Sequence, residues 1–387
     1  MARSKIYKII TGILLLVLIG CLATYSQLSN RHRAIVKTTL LHKSGMIDGK
    51  WSVDSTGKVY NMISPSFLID GIYKSMEGPM SAKYVQLSQD SALIYMTGFK
   101  VTAIDAKSRQ PLSNEFICHT NVDFNAAKYY SRLNLPQRIG NSYPRMTSLS
   151  NGSEALQFPA GYGIPMHGND MLYLTTQSLN HNYPKIKYLL KHNVAINYTD
   201  KIQKPLMSRT VFIMLPYDES DPYSPTTSSD LCIPVETKNH VYDDGKGNKH
   251  SGHWVVPEGK NTYRSNINQQ LQIADSIRLH SAALHVHPFA TSFTLRNISK
   301  GEPVFTSKIV NRKGKIGLQS VPGFTSDDGV WLYANNDYEL VLEVDNTSGE
   351  QQDMMGSMFL FFYDAELDAL LSSKPPNQEI LPKTASR

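Results

Sequence analysis

Cysteine is scarce in this chain, with three in 387 residues: Cys21, Cys118 and Cys232. So few exclude the multi-disulfide framework that staples small secreted domains. Cys118 and Cys232 can form one disulfide in an oxidising compartment, or Cys118 can ligate a metal, because His119 follows it directly. Acidic residues are missing from the first 33 positions, which hold five basic ones: Arg3, Lys5, Lys8, Arg31 and Arg33. The formal charge of +6 comes mostly from that segment; 39 − 5 leaves 34 basic against 33 acidic residues, a balance of +1. No basic face remains for nucleic acid. Also absent are an internal repeat, a Gly-rich phosphate loop and a nucleophile elbow. Cys118 and His119 are expected on opposite faces of a regular strand, which excludes them as a nucleophile–base pair.

Long apolar runs are lacking too. The longest, Ile9 to Ala23, has 15 residues, short of the ~20 of a comfortable membrane span and suited to a secretory h-region behind a basic n-region. Leu18-Ile19-Gly20-Cys21 fits the pattern cut before a lipidated bacterial cysteine, with Cys21 as the lipidation site. Leu22 and Ala23 extend the run as an uncleaved anchor does, and ordinary cleavage is the third option. All three export the body of the protein, to a bacterial periplasm or cell envelope, and two of them tether it to a membrane.

What is present is β-forming sequence. Twenty-one tyrosines, 24 glycines and 20 prolines accompany short apolar runs broken by turn residues. Phe99-Lys100-Val101-Thr102-Ala103-Ile104 alternates as a half-buried strand does. Similar runs recur from Lys83 to Tyr198 and again from Thr210 to Tyr363, while 138–153 reads as a turn-rich loop. The expected fold is all-β: two antiparallel jelly-roll-like β-sandwich domains in tandem after an N-terminal hydrophobic export or anchor segment. The expected division is segment 1–33, linker and extension 34–76, first sandwich 77–203, second sandwich 204–372 and tail 373–387.

Within the second sandwich, Leu284-His285-Val286-His287 places two imidazoles on one strand face, one pleat repeat apart. A thioether from the stretch Asp353-Met354-Met355-Gly356-Ser357-Met358 would complete a soft site, and sulfur with imidazole favours copper, particularly Cu(I). Parity puts Met355 with Ser357 and Phe359, and Met354 with Met358, so only one of these sets can meet His285 and His287. His280 has the opposite parity and a structural role; His253, before Trp254, lines the cleft or supports it from within. His167, His240 and His250 sit in polar loops and carry no signal.

These blocks resemble the copper type II, ascorbate-dependent monooxygenases, the family of peptidylglycine α-hydroxylating monooxygenase and dopamine β-monooxygenase. The resemblance rests on His285-x-His287, on Met355 with Asp353 before it, and on the aromatic strand Phe359 to Tyr363 after it; it spans roughly residues 80–368. It implies two jelly-roll sandwiches, each presenting one copper to a solvent-filled cleft, with the catalytic ion held by His285, His287 and Met355. It also implies dioxygen and an organic substrate as partners, and ascorbate or another one-electron donor. The first sandwich departs from the family pattern. Where adjacent histidines stand in the family, this chain has Cys118-His119. Where a histidine follows Gln-Val, it has Gln177-Ser178-Leu179, with His181 about 7 Å further along a regular strand. Cys118, His119 and His181 are thus the tentative second metal site, with a degenerate site as the alternative. Ala283 replaces the arginine that holds a substrate carboxylate in the peptide-hydroxylating members, which argues against peptide amidation.

The expected activity is hydroxylation of a substrate C–H bond at a mononuclear His2Met copper centre by an exported protein. The competing expectation is a non-catalytic double sandwich that holds copper or binds protein partners on a membrane-associated assembly.

Overall fold

A computed structural model describes residues 2–216, 241–243 and 249–373; Cys232, His240 and the tail from 374 lie outside the described residues. The chain opens with helix α1 (Ala2–Gln27). Its stretch Tyr7–Gln27 is 21 residues long and apolar enough to cross a bilayer, a test that signal sequences also pass. This exceeds the run counted from the sequence, because Tyr7, Lys8 and the polar residues after Ala23 continue the helix. Cys21 is exposed on it.

Residues 34–76 are not a linker. Helix α2 (Asn30–Lys43) is capped by the Ser29 side chain, which accepts from the His32 N–H. It seats Ala34 against Phe67, Ile69, Tyr73, Phe116 and Leu190, and Lys37 Nζ reaches Asp70 at 2.5 Å and the Tyr73 hydroxyl at 2.8 Å. Strands β1 (Ser52–Thr56), β2 (Val59–Ile63) and β3 (Phe67–Ile69) follow, then β4 (Met80–Gln86), β5 (Leu93–Asp105) and β6 (Ile117–Phe124). After helix α3 (Ala126–Arg132) come β7 (Arg145–Ser150), β8 (Ala155–Gln157), β9 (Tyr162–His167), β10 (Met171–Ser178) and β11 (Tyr188–Thr199). Strand β7 falls in the stretch read as loop. Its Thr147, Ser148 and Ser150 are buried although polar, so apolar alternation never marked it.

The second half comprises β12 (Lys204–Phe212), β13 (Leu215–Pro216), β14 (Val241–Asp243), β15 (Lys249–Ser251), β16 (Trp254–Val256) and β17 (Gly259–Asn266). It continues with β18 (Ser276–Val286), β19 (Ala290–Asn297), β20 (Glu302–Lys308), β21 (Val310–Asn311) and β22 (Leu318–Ser320). Then come β23 (Phe324–Tyr333), β24 (Tyr338–Asn346), β25 (Gln352–Met354), β26 (Gly356–Tyr363) and a closing helix Ala365–Ser372.

One 11-stranded sheet, in the order β1-β2-β11-β5-β9-β12-β26-β18-β23 with β3 and β8 beside it, runs through both halves. Its joint is a short parallel pairing, Lys204 with Tyr162 and Pro205 with Gly163. The sheet β4-β10-β6-β7 faces its first half and β17-β24-β19-β20 faces its second. The molecule is therefore all-β, two sandwiches sharing a backbone sheet behind an apolar helix. Where one face is solvated the sequence alternates, as in β19, with Phe293 and Leu295 buried and Thr294 and Arg296 only partly so.

Strand β26 does not alternate, because both its faces are covered. Met358, Leu360 and Phe362 enter the second core, while Phe359 and Phe361 enter the first, joined there by Ala283 of β18 and Leu206 of β12. Phe361 is fully buried and meets Phe158 of the first sandwich edge-on, with ring centroids 4.8 Å apart. A strand buried on both sides needs a continuous apolar run, which explains Phe359-Leu360-Phe361-Phe362. Across the same boundary Arg138 Nη2 donates to Asp364 Oδ1 at 2.9 Å, and the Ser208 hydroxyl donates to the Arg145 carbonyl at 2.9 Å. Phe361→Ala should cost about 3–5 kcal/mol, the usual range for emptying an aromatic core site. Urea unfolding of the full chain measures it; a loss below about 1 kcal/mol would contradict a core shared by both sandwiches.

Candidate metal centre

In the β18–β26 ladder His285 lies opposite Ser357 and Val286 opposite Gly356, where the pairing ends. Met355 stands between β25 and β26. Met354 and Met358 belong to the second core with Leu284 and Val286. Met355, 8% exposed, stands outside the apolar clusters. His285 and His287 line one cavity at the boundary with the first sandwich, and Met355 is not among the residues that line it.

The His285 and His287 ring centroids are 5.5 Å apart and nearly perpendicular. Metal–nitrogen bonds of about 2.0–2.1 Å allow rings at such a separation to serve one ion. Nδ1 of His285 is buried without a hydrogen-bond partner among the described residues. Burial, then the neighbouring His287 and His119, push the His285 pKa well below its ordinary value and keep the ring neutral. His287 differs. Its Nδ1 lies 2.9 Å from Asp353 Oδ2 and 3.2 Å from the Asp353 carbonyl. Burial opposes its charge, but the Asp353 carboxylate outweighs burial and raises the pKa. Burial would also raise the Asp353 pKa; His287 and His253 reverse that and hold it well below the usual carboxylate range.

His253, read from sequence as cleft lining or support, reaches the same carboxylate through Nε2 at 3.3 Å. His253, His287 and Asp353 offer three ligand atoms within 4.8 Å of one another. As arranged, one carboxylate oxygen accepts from two imidazoles, the form that fixes ring orientation and tautomer around metal sites. Asp353 had been noticed only as the acidic residue before Met355, and no spacing rule ties it to His253, a hundred positions upstream. Ala283 is buried in the first core, so hydrocarbon fills the place two residues before His285. His280 sits at a bulge between Leu279 and Ser281, with Nδ1 3.0 Å from the Ser326 carbonyl and its ring 4.2 Å from that of Tyr162, a structural role. Nδ1 of His167 lies 2.9 Å from the Ser91 carbonyl.

In the first sandwich the expectation that Cys118 and His119 lie on opposite faces fails. The β10–β6 register pairs Gln177 with His119 but Ser178 with Ile117, so Cys118 is the extra residue of a β-bulge. The bulge brings Cys118 Sγ to 3.4 Å from His119 Nδ1. The His119 ring stands edge-on to that of His285 of the second sandwich, centroids 6.2 Å apart. His181 does not continue β10, which ends at Ser178. It lies instead within electrostatic reach of His287 and Asp353; burial above all lowers its pKa to about 4, and its Nε2 has no hydrogen-bond partner among the described residues. Cys118 and His119 are brought together, and His181 lines the same cavity as Cys118.

One small cavity joins the two walls. Cys118, Leu179 and His181 line it from the first sandwich, His285 and His287 from the second. The space open to the centre of a water-sized sphere is about 20 Å3, room for an ion with a water and not for an organic substrate. The expected solvent-filled cleft is therefore closed. A strap from the second sandwich, 312–317, closes it: Ile316 N donates to Asn182 Oδ1 at 3.0 Å, Asn182 Nδ2 donates to the Ile316 carbonyl at 2.8 Å, and Leu318 N donates to Asn151 Oδ1 at 3.1 Å. Gly152 permits the approach, since its φ is +84° and a Cβ there would meet Leu318 Cβ at 2.8 Å.

Within the first sandwich, a buried polar column links its two sheets. Thr120 and Thr176 hydroxyls are 2.7 Å apart, His192 Nδ1 is 2.5 Å from Thr176 Oγ1, and Nε2 is 3.3 Å from Ser178 Oγ. Burial, aided by His119, pushes the His192 pKa from 6.5 down to about 3. Between those values the unfolded chain binds the proton that the folded chain refuses. Stability from His192 is thus complete above about pH 6.5 and declines as pH falls toward 3, by about 1.4 kcal/mol per unit. Unfolding midpoints measured from pH 7 to 4 should fall less steeply in His192→Gln than in wild type; equal slopes would contradict a neutral buried His192.

Comparison with known proteins adds little. No family model matches the chain, and no curated protein matches it. Among solved structures, PNGase F, a glycosylasparaginase from Flavobacterium meningosepticum, is 7% identical over 80% of this chain and 96% of its own, with a TM-score of 0.34. A recombinant N-glycanase F is 8% identical at 0.33. The VP2 subviral particle of infectious bursal disease virus is 12% identical over 84% of this chain and 76% of its own, at 0.19. Likeness at these scores carries no argument about activity.

Proposed function

We propose that this is an exported, membrane-tethered copper protein whose His285, His287 and Met355 hold one copper ion used to hydroxylate a C–H bond. The observation that carries the reading is the buried Nδ1 of His285, without a partner among the described residues, beside the His287 ring in one cavity. Two imidazoles and a thioether suit copper in both oxidation states, the sulfur favouring Cu(I). When bound, copper supplies the one-electron chemistry by which dioxygen can hydroxylate a substrate. The chain supplies the rest. His285 is already neutral and offers a lone pair without losing a proton. His287, aimed by Asp353 through Nδ1, offers Nε2 once its proton leaves, and the carboxylate then balances the ion's charge. The strap 312–317 packs over the cavity, so an organic substrate would reach an ion there only if that segment moved. Helix α1 fits the export or anchor segment, with Cys21 as the lipidation site where the lipoprotein route is taken.

The closed cavity of about 20 Å3 favours a second reading, a non-catalytic protein that holds copper or docks partners. Metal analysis and ascorbate-dependent oxygen uptake on the purified full chain separate the two. The proposal expects one copper per chain and oxygen uptake in wild type, and loss of both in His285→Ala and Met355→Leu. Copper without uptake selects the holding role. Equal and poor copper content in wild type and variants removes the copper site altogether.

A further inference from the structure

The first sandwich faces the same cavity with a sulfur of its own. The bulge at Cys118 turns its thiol, otherwise destined for one side of β6, onto the wall opposite His285 and His287. Cys118 is 6% exposed, and its Sγ lies 3.4 Å from His119 Nδ1, a base able to take the thiol proton. His285, 8% exposed and with Nδ1 unpartnered among the described residues, lines the cavity from the other side. The strap's hydrogen bonds to Asn151 and Asn182 hold the two walls at a fixed separation.

We propose that Cys118 is a thiolate ligand contributed by the first sandwich to the ion held by His285 and His287, so that the metal site is shared between the domains. This rests on the copper reading above and deepens it. Two imidazoles, one thiolate and a weaker thioether are a soft donor set that suits copper. On binding, the Cys118 S–H proton is released, the sulfur–copper bond forms, and neither sulfur nor metal changes oxidation state. His119 then serves as a positioning residue beside the sulfur. The bulge, the ion-sized cavity and the strap across it thereby acquire a common purpose.

The test uses the full chain, reduced and loaded with one equivalent of Cu(I). X-ray absorption at the copper edge should fit two sulfur neighbours in wild type and one in Cys118→Ser. Competition with a Cu(I) chelator should show affinity falling at least tenfold in that variant, with copper still bound through the histidines. A single-sulfur shell in wild type, or equal affinity in Cys118→Ser, overturns the role of Cys118 and leaves the copper reading standing. Wild type that binds no copper overturns both.

Discussion

The burial of β18 and β26 on both faces is the constraint from which the rest follows. Each strand is a wall of two cores, with Leu284, Val286, Met358, Leu360 and Phe362 packed to one side and Ala283, Phe359 and Phe361 to the other. A polar side chain on the second face has little access to solvent. His285 and His287 stand there, at 8% and 4% exposure. Burying a polar group without a partner costs free energy; His287 is offset by Asp353, and Nδ1 of His285 has no partner among the described residues.

The interface shifts its two imidazoles in opposite directions. Burial, then His287 and His119, lower the His285 pKa, while the Asp353 carboxylate outweighs burial and raises that of His287. Under the proposed reading, His285 would offer a lone pair to a cation and the Asp353 carboxylate beside His287 would balance its charge. Asp353 also draws in His253, which fixes the carboxylate from the far side. The result is a preorganised donor array closed by a strap. It is better shaped for an ion than for an organic molecule.

Much of this was legible in the sequence, and the rest was hidden for physical reasons. His285-x-His287 declared a shared strand face, and Phe359 to Tyr363 read as an aromatic strand, although its cover on both sides did not show. Placing Met358 opposite Leu284 in the second core required the β18–β26 register, which long-range pairing sets. The Cys118 bulge was invisible, since an inserted residue in a ladder leaves no mark on the composition of β6. Strand β7 reads as a loop because three of its buried side chains, Thr147, Ser148 and Ser150, are hydroxyls. Residues 34–76 read as a linker because β2 and β3 are short and their place is set by pairing with β11, far along the chain. The pairing of His253 with Asp353 spans a hundred residues and no local pattern reports it.

The central claim is that the boundary between the two sandwiches is a metal site. Crystals of the full chain grown with copper, with diffraction recorded on both sides of the copper edge, test it most directly. The account predicts one anomalous peak in the cavity, within bonding distance of the His285 and His287 rings. A peak elsewhere on the molecule, or none in crystals where His285 and His287 are well ordered, would contradict it.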